Sequence, residues 1–473
     1  LRKFGCYTVP DFIGTRYGGN LARLLAVIVL TVASFTYVTA QINATGTIAS
    51  VALDIDFKYA VYIGLISILL CSMLGGMRAV TWTQVAQYIV LIIAYMLPIF
   101  WISNKMGAGF FPHFMLADEV ARIGELEAQF GFVKNSAADL ASVPKGLAGI
   151  TKAHSAVNAT PWAFISLALA MMMGTASLPH VMMRYFTTPS VKAARKSVGW
   201  SLFFIFLLYS SAPMLATLSK LSLIDPTLST GIIGKSFAEV QSIDWYQNWN
   251  QANLMFISDF NGNGTLELNE FFMGGKAVVL ATPEIAGLPY VISGLVAAGG
   301  MAAAMSTADG LILAIANAIS HDVYYKMIDP KAETAKRLLV ARILLVVIGF
   351  AGATIAAMQI QGILGSVIWA FDFAMSGLFF PLVLGVWWKR ANREGAITGM
   401  ALGLGSAIWY LVWVRTGGSG FLGITQLTFG IFGAAVSLVS MVVVSLMTQA
   451  PDKATQKMVD EVRVPSGRTV TGK

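Results

Sequence analysis

Ala302-Ala303-Ala304-Met305-Ser306-Thr307-Ala308-Asp309-Gly310 lies inside an almost unbroken apolar run from Ile285 to Ile319. A run this long is a membrane-spanning helix, since about 20 apolar residues suffice to cross a bilayer. Two hydroxyls and a carboxylate at its centre are costly: a charged group there opposes insertion by about 2.5–3.5 kcal/mol. Such groups mark an ion or substrate path, or they are satisfied inside the bundle by bonding back to helix carbonyls. Gly299, Gly300 and Gly310 bracket the polar group, which favours the first reading.

The rest of the chain agrees with a membrane protein. Its 473 residues are 56% hydrophobic and only 12% charged, with a mean hydropathy of +0.70, whereas a soluble domain carries about 25% charged residues. Ten spans are expected, near 20–49, 57–76, 83–103, 162–186, 197–219, 285–320, 337–358, 363–388, 395–415 and 424–448. Backbone groups in lipid must be satisfied within the segment, so apolar runs of this length mean helices rather than barrel strands. The fold class is an all-α polytopic membrane protein. Cys6 and Cys71 are far apart and give neither a disulfide framework nor a zinc spacing. Nothing in the chain sets a nucleophile beside a base, and no phosphate-cradling loop appears, so enzymatic chemistry is not expected.

The net charge of +8 points to topology, not to nucleic acid, because Lys and Arg collect in cytoplasmic loops. Arg2, Lys3 and Arg16 precede the first span, and Arg78, Arg184, Lys326 and Lys389 begin the basic stretches after the second, fourth, sixth and eighth. Both visible ends are therefore expected in the cytoplasm, with residues 451–473 as a tail behind a transporter domain over 1–450. The long connections 104–160 and 220–284 carry acidic residues such as Asp118, Glu125, Asp225 and Glu239 and are expected outside. Leu1 to Gly19 reads as a loop between helices, which suggests a chain incomplete at its N-terminus.

The second long loop contains Asp259-Phe260-Asn261-Gly262-Asn263-Gly264-Thr265-Leu266-Glu267-Leu268-Asn269-Glu270. This follows EF-hand grammar: oxygen donors Asp259, Asn261 and Asn263 at positions 1, 3 and 5, and Gly264 for the sharp turn. The carbonyl of Thr265, then Glu267, and bidentate Glu270 complete the calcium ligands. The alternative is a solvated Asn/Gly turn cluster. Two Asn in place of Asp lower the ligand charge, and EF-hands usually pair, so a weak structural site is expected rather than a switch.

Gly75-Gly76-Met77-Arg78-Ala79-Val80-Thr81-Trp82-Thr83-Gln84-Val85-Ala86-Gln87 joins the second and third spans by a tight turn. Gly174-Thr175-Ala176-Ser177-Leu178-Pro179-His180 ends the fourth, where Pro179 removes a helix bond. Broken helices of this kind are tolerated where they line a cavity. These stretches, Ala-Ala-Ala-Met-Ser-Thr, and Gly385, Arg390, Gly395 and Gly399 together resemble the sodium:solute symporter family. Arg184-Tyr185-Phe186-Thr187-Thr188-Pro189-Ser190 and Ser320-His321-Asp322-Val323-Tyr324 look closest to its cation/acetate, or monocarboxylate, branch.

The resemblance implies a leucine-transporter-like inverted-repeat fold whose usual thirteen spans begin, in this chain, at the fourth. It implies sodium ligands at the Ala303 carbonyl and the Ser306 and Thr307 hydroxyls, and sodium rather than protons as the coupling ion. The function expected is sodium-coupled symport of a small organic anion, such as acetate, across a bacterial inner membrane by alternating access. A sensor module and an inactive fragment are the competing readings; the short tail carries no signalling domain. Asp309 stands as a second cation site, a proton acceptor or a partner for a buried arginine. Tyr37 and Gln41, four apart on one face, are substrate contacts by resemblance or, from the residues alone, packing glue. Asp372 is expected to pair within the bundle, and His180 to be structural rather than proton-carrying. The residues do not name an oligomeric state.

Overall fold

Apolar helices of 18 to 39 residues dominate the computed structural model, which describes residues 2–107, 112–131, 135–150, 161–464 and 469–470. Chain order begins with α1 (Val9–Tyr17), α2 (Asn20–Leu53), α3 (Phe57–Lys105), α4 (Leu116–Gln129) and α5 (Ala137–Leu140). Strand β1 (Leu147–Gly149) precedes α6 (Pro161–Ser177), α7 (Pro179–Phe186), α8 (Val191–Ile224), α9 (Phe237–Gln241) and α10 (Asp244–Gln251). Strands β2 (Met255–Ile257) and β3 (Phe271–Gly274) lead into α11 (Val278–Ile285) and α12 (Tyr290–Asn317), which a π-helical segment prolongs to Ile328. The chain closes with α13 (Thr334–Ala357), α14 (Ile363–Ala374), α15 (Phe380–Trp387), α16 (Arg393–Arg415), α17 (Gly430–Met447) and α18 (Lys453–Arg463).

Among the described residues, eight helices are long and apolar enough to cross a membrane, and the bent pair α6–α7 makes a ninth. The expected span 57–76 is shorter: the apolar helix Phe57–Met73 rises only about 26 Å at 1.5 Å per residue. It joins the next span through Gly76, whose φ of 56° and ψ of −156° break the helix. Only glycine takes such a conformation without a Cβ penalty. The last span begins at Gly430 rather than near 424.

One expectation needs correction. The segment before the first span is not a loop: Thr8 caps α1 by accepting from the Asp11 amide at 3.0 Å, and Pro10 starts it without losing a helix bond. The membrane bundle is helical as expected, and the two long connections add a three-stranded antiparallel sheet in the order β1-β3-β2. Gly149 pairs with Phe272, and Phe256 pairs with the same residue from the other side. That sheet, α4, α9 and α10 surround their own apolar core of Leu223, Ile232, Trp249, Leu266 and Phe271, so the connections form a cap rather than loose loops. The tail carries α18, which packs on α15, and Lys389 bridges Asp460 at 2.7 Å.

Inside the bundle α2 is the hub, packing on α3, α12, α13 and α14. Small residues allow this closeness. A methyl group on Gly46 would collide with Val61, and one on Gly377 with Val29. Without a hydrophobic drive between helices in lipid, such close packing is what holds spans together.

Candidate functional site

The hydroxyls of Ser306 and Thr307 lie on one face of α12, and both donate to the Ala303 carbonyl, at 2.9 and 3.3 Å. Positions i, i+3 and i+4 share a helix face, so three oxygens converge near mid-span. They can accept a hard cation, or they can satisfy one another as they do here. Both hydroxyls border a cavity of about 240 Å³ completed by Gln84, Gln87 and Tyr88 of α3 and by His180 and Arg184 of α7. Gln84 Nε2 donates to the Ser306 carbonyl at 2.5 Å.

The 40° bend at Leu178 makes this cavity. Pro179 lacks the amide that would continue α6, so α7 turns and brings His180 and Arg184 against α12. Gly310 permits the approach: a methyl there would lie 3.2 Å from Arg184 Nη2. Gln84 and Gln87 belong to the quoted motif and Tyr88 follows it, but the stripe they form was not recognised as part of a site. Its spacing of three and four on a membrane helix was the available signal.

Asp309 is fully buried and turned from the hydroxyl pair. Its Oδ1 accepts from Ser72 at 3.0 Å, and it interacts electrostatically with Arg184. Tyr37 stands beside the site: its ring centroid is 5.7 Å from that of His180 and 5.7 Å from that of Phe371. Gln41, one turn further, is half-buried and does not border this cavity. Asp372 is buried against the backbone of Gly430, at the start of α17, which is its polar neighbour within the bundle; it forms no ion pair among the described residues.

In the cap, the 259–270 loop folds inward. Asp259 accepts from the Gly262 and Gly264 amides at 2.7 and 3.0 Å, and Asn261 from Asn263 at 2.9 Å. Asn263 Oδ1 accepts from the Thr265 amide at 2.7 Å. Glu267 takes both Asn amides, and Glu270 takes the amides of Phe260 and Glu267. Gly262 and Gly264 both have a φ of 71°, and burial raises the Glu270 carboxyl pKa. Leu266 pairs with Lys235 and Gly234, and Ser236 bridges Thr265.

A charged cluster unforeseen in the sequence ties α1 and α2 to the far end of α12. Arg23 lies 3.4 Å from Asp11 and 3.6 Å from Asp322, whose other oxygen accepts from Thr8 at 2.6 Å.

Broken and unbroken helices enclosing a polar mid-membrane cavity define a multi-pass transporter, not an enzyme. The chain belongs to the sodium:solute symporter family, whose profile matches residues 1–223 and 276–403. An uncharacterised symporter of Cupriavidus necator is 35% identical over 557 aligned positions, covering 98% of this chain and 80% of that protein. A monocarboxylic acid transporter of Corynebacterium glutamicum is 27% identical over 420 positions, covering 86% of this chain and 66% of that protein. The fold is similar to a sodium-coupled sialic acid symporter solved in a substrate-bound outward-open state. The TM-score is 0.64 at 14% identity, over 95% of this chain and 79% of that one. The architecture is thus leucine-transporter-like, as the motifs implied.

Proposed function

We propose that the protein is a sodium-coupled symporter of a small organic anion, acetate or another short monocarboxylate, working by alternating access. The observation that carries this reading is the convergence of the Ala303, Ser306 and Thr307 oxygens on a mid-span cavity that Arg184 borders. Oxygen donors suit a hard cation, and a guanidinium suits a carboxylate. The resemblance to a monocarboxylic acid transporter points to the same substrate class.

In this reading sodium at Ala303, Ser306 and Thr307 stabilises one orientation of the bundle, and substrate affinity rises with it by linkage. Tyr37 and Gln41 contact the substrate, Tyr37 from beside His180. Asp309, held by Ser72, serves as a second cation or proton site. The basic connections face the cytoplasm of a bacterial cell, the plasma membrane holds the bundle, and the cap lies outside. Purified protein in liposomes is expected to accumulate labelled acetate, pyruvate or propionate only under an inward sodium gradient. Uptake indifferent to sodium would overturn the reading.

The cap loop we assign to calcium, with Asp259, Asn261, Asn263, Thr265, Glu267 and Glu270 as ligands; its inward-folded side chains and two left-handed glycines support this. With a dissociation constant of roughly 10⁻⁴–10⁻³ M, 10 mM calcium should stabilise the protein by about 1.4–2.7 kcal/mol. Thermal unfolding with calcium or with matched magnesium checks it, and Asp259→Ala with Glu270→Gln should abolish the difference. Equal stabilisation by the two cations would refute a selective site.

A further inference from the structure

The cap and the upper ends of α2, α12 and α14 enclose two adjoining cavities of opposite charge. One, of about 750 Å³, is bordered by Asp54, Asp56 and Glu284 and, among the described residues, by no lysine or arginine. The other, of about 1140 Å³, is bordered by Lys145 and Lys276 and, among the described residues, by no carboxylate. They meet at Ser50, Val51, Phe57, Ala252 and Asn253. In the second cavity Lys276 is the built element. It sits on the turn after β3, its Nζ donates to Asn43 of α2 at 2.8 Å, and it lies 5.5 Å above the Phe57 ring. No ion pair is formed by Lys276 among the described residues.

An ammonium offers three donors, and Asn43 takes one. Holding a half-buried cation without a counter-charge is costly, so a group that neutralises it gains more here than at an open surface. Burial lowers the lysine's pKa, which an arriving anion reverses. The cavity exceeds what a small acid fills, since pockets of about 300–1,000 Å³ hold drug-sized ligands; it therefore gathers rather than grips. Asn43 lies two residues past Gln41 in the C-terminal third of α2, so the captured group sits beside the helix that carries Tyr37.

We propose that the Lys276 cavity is an anion-capture site, taking the carboxylate of a small organic acid on the cap side before it descends along α2. The neighbouring acidic cavity repels that anion and so sorts it to one side. The proposal rests on the reading of the protein as an anion symporter.

Transport and labelling test it separately. In proteoliposomes at about 0.01 M ionic strength, Lys276→Gln should raise the half-saturating carboxylate concentration about five- to tenfold. The sodium dependence should stay unchanged, and Lys276→Arg should restore capture. The difference should fade near 1 M salt, where screening lengths shrink to about 3 Å. In protein with Cys6 and Cys71 replaced by alanine, Gln361→Cys should react faster with an anionic methanethiosulfonate than with a cationic one. Lys276→Gln should remove that preference. Labelling that ignores reagent charge, or an unaltered carboxylate dependence in Lys276→Gln, overturns the capture site. A charge preference in a protein that moves no carboxylate would uphold the anion site and place the fault in the transport reading.

Discussion

Replacing Ser306 and Thr307 together by alanine is expected to raise the sodium concentration needed for half-maximal uptake about a hundredfold or more. The two hydroxyls bond only to Ala303 of their own helix, so the fold should survive. A ligand to a full charge is worth roughly 1.5–3 kcal/mol, and two such losses correspond to at least two powers of ten. Thr307→Ser keeps the oxygen and should restore most of the affinity. Uptake titrated against sodium in liposomes, beside unfolding curves showing an intact protein, gives the result. An unchanged sodium dependence would remove these residues from the ion site.

Arg23→Met should destabilise the protein by about 3–5 kcal/mol, the usual cost of removing one member from a buried ion pair. The residue is nearly enclosed: its side chain is 13% exposed, with Asp11 at 6% and Asp322 at 0%. Without it, two carboxylates face each other across a dry junction of α1, α2 and the π-helical end of α12. Adding Asp11→Asn and Asp322→Asn to Arg23→Met should recover much of the loss, since the defect is uncompensated charge and not missing volume. Thermal unfolding of the single and combined variants in detergent measures the coupling. Additive losses would mean that the three groups act independently.

The spans were legible because hydropathy reports the solvent each segment meets. Pro179 and Gly76 were legible as breaks because one lacks an amide and the other lacks a Cβ. The convergence of the Ala303, Ser306 and Thr307 oxygens was legible because these residues are close in sequence, so local periodicity sufficed. Arg23, Asp11 and Asp322 were not, because nearly 300 residues separate the partners and each looks like an ordinary boundary charge. The sheet escaped for a related reason: β1 and β3 are too short to show a period, and each is completed only by the other. The neighbour of Asp372 was not legible, because the start of α17 lies almost sixty residues downstream.

The shared sheet has a consequence for anything that recognises the protein from the cap side. Phe272, itself buried, is flanked by Gly149 from one connection and Phe256 from the other, so the surface over this sheet is assembled from both connections and is a discontinuous epitope. A binder raised against either connection as a free peptide meets a strand stripped of a neighbour. Only a binder selected on the folded protein sees the cap that the membrane presents.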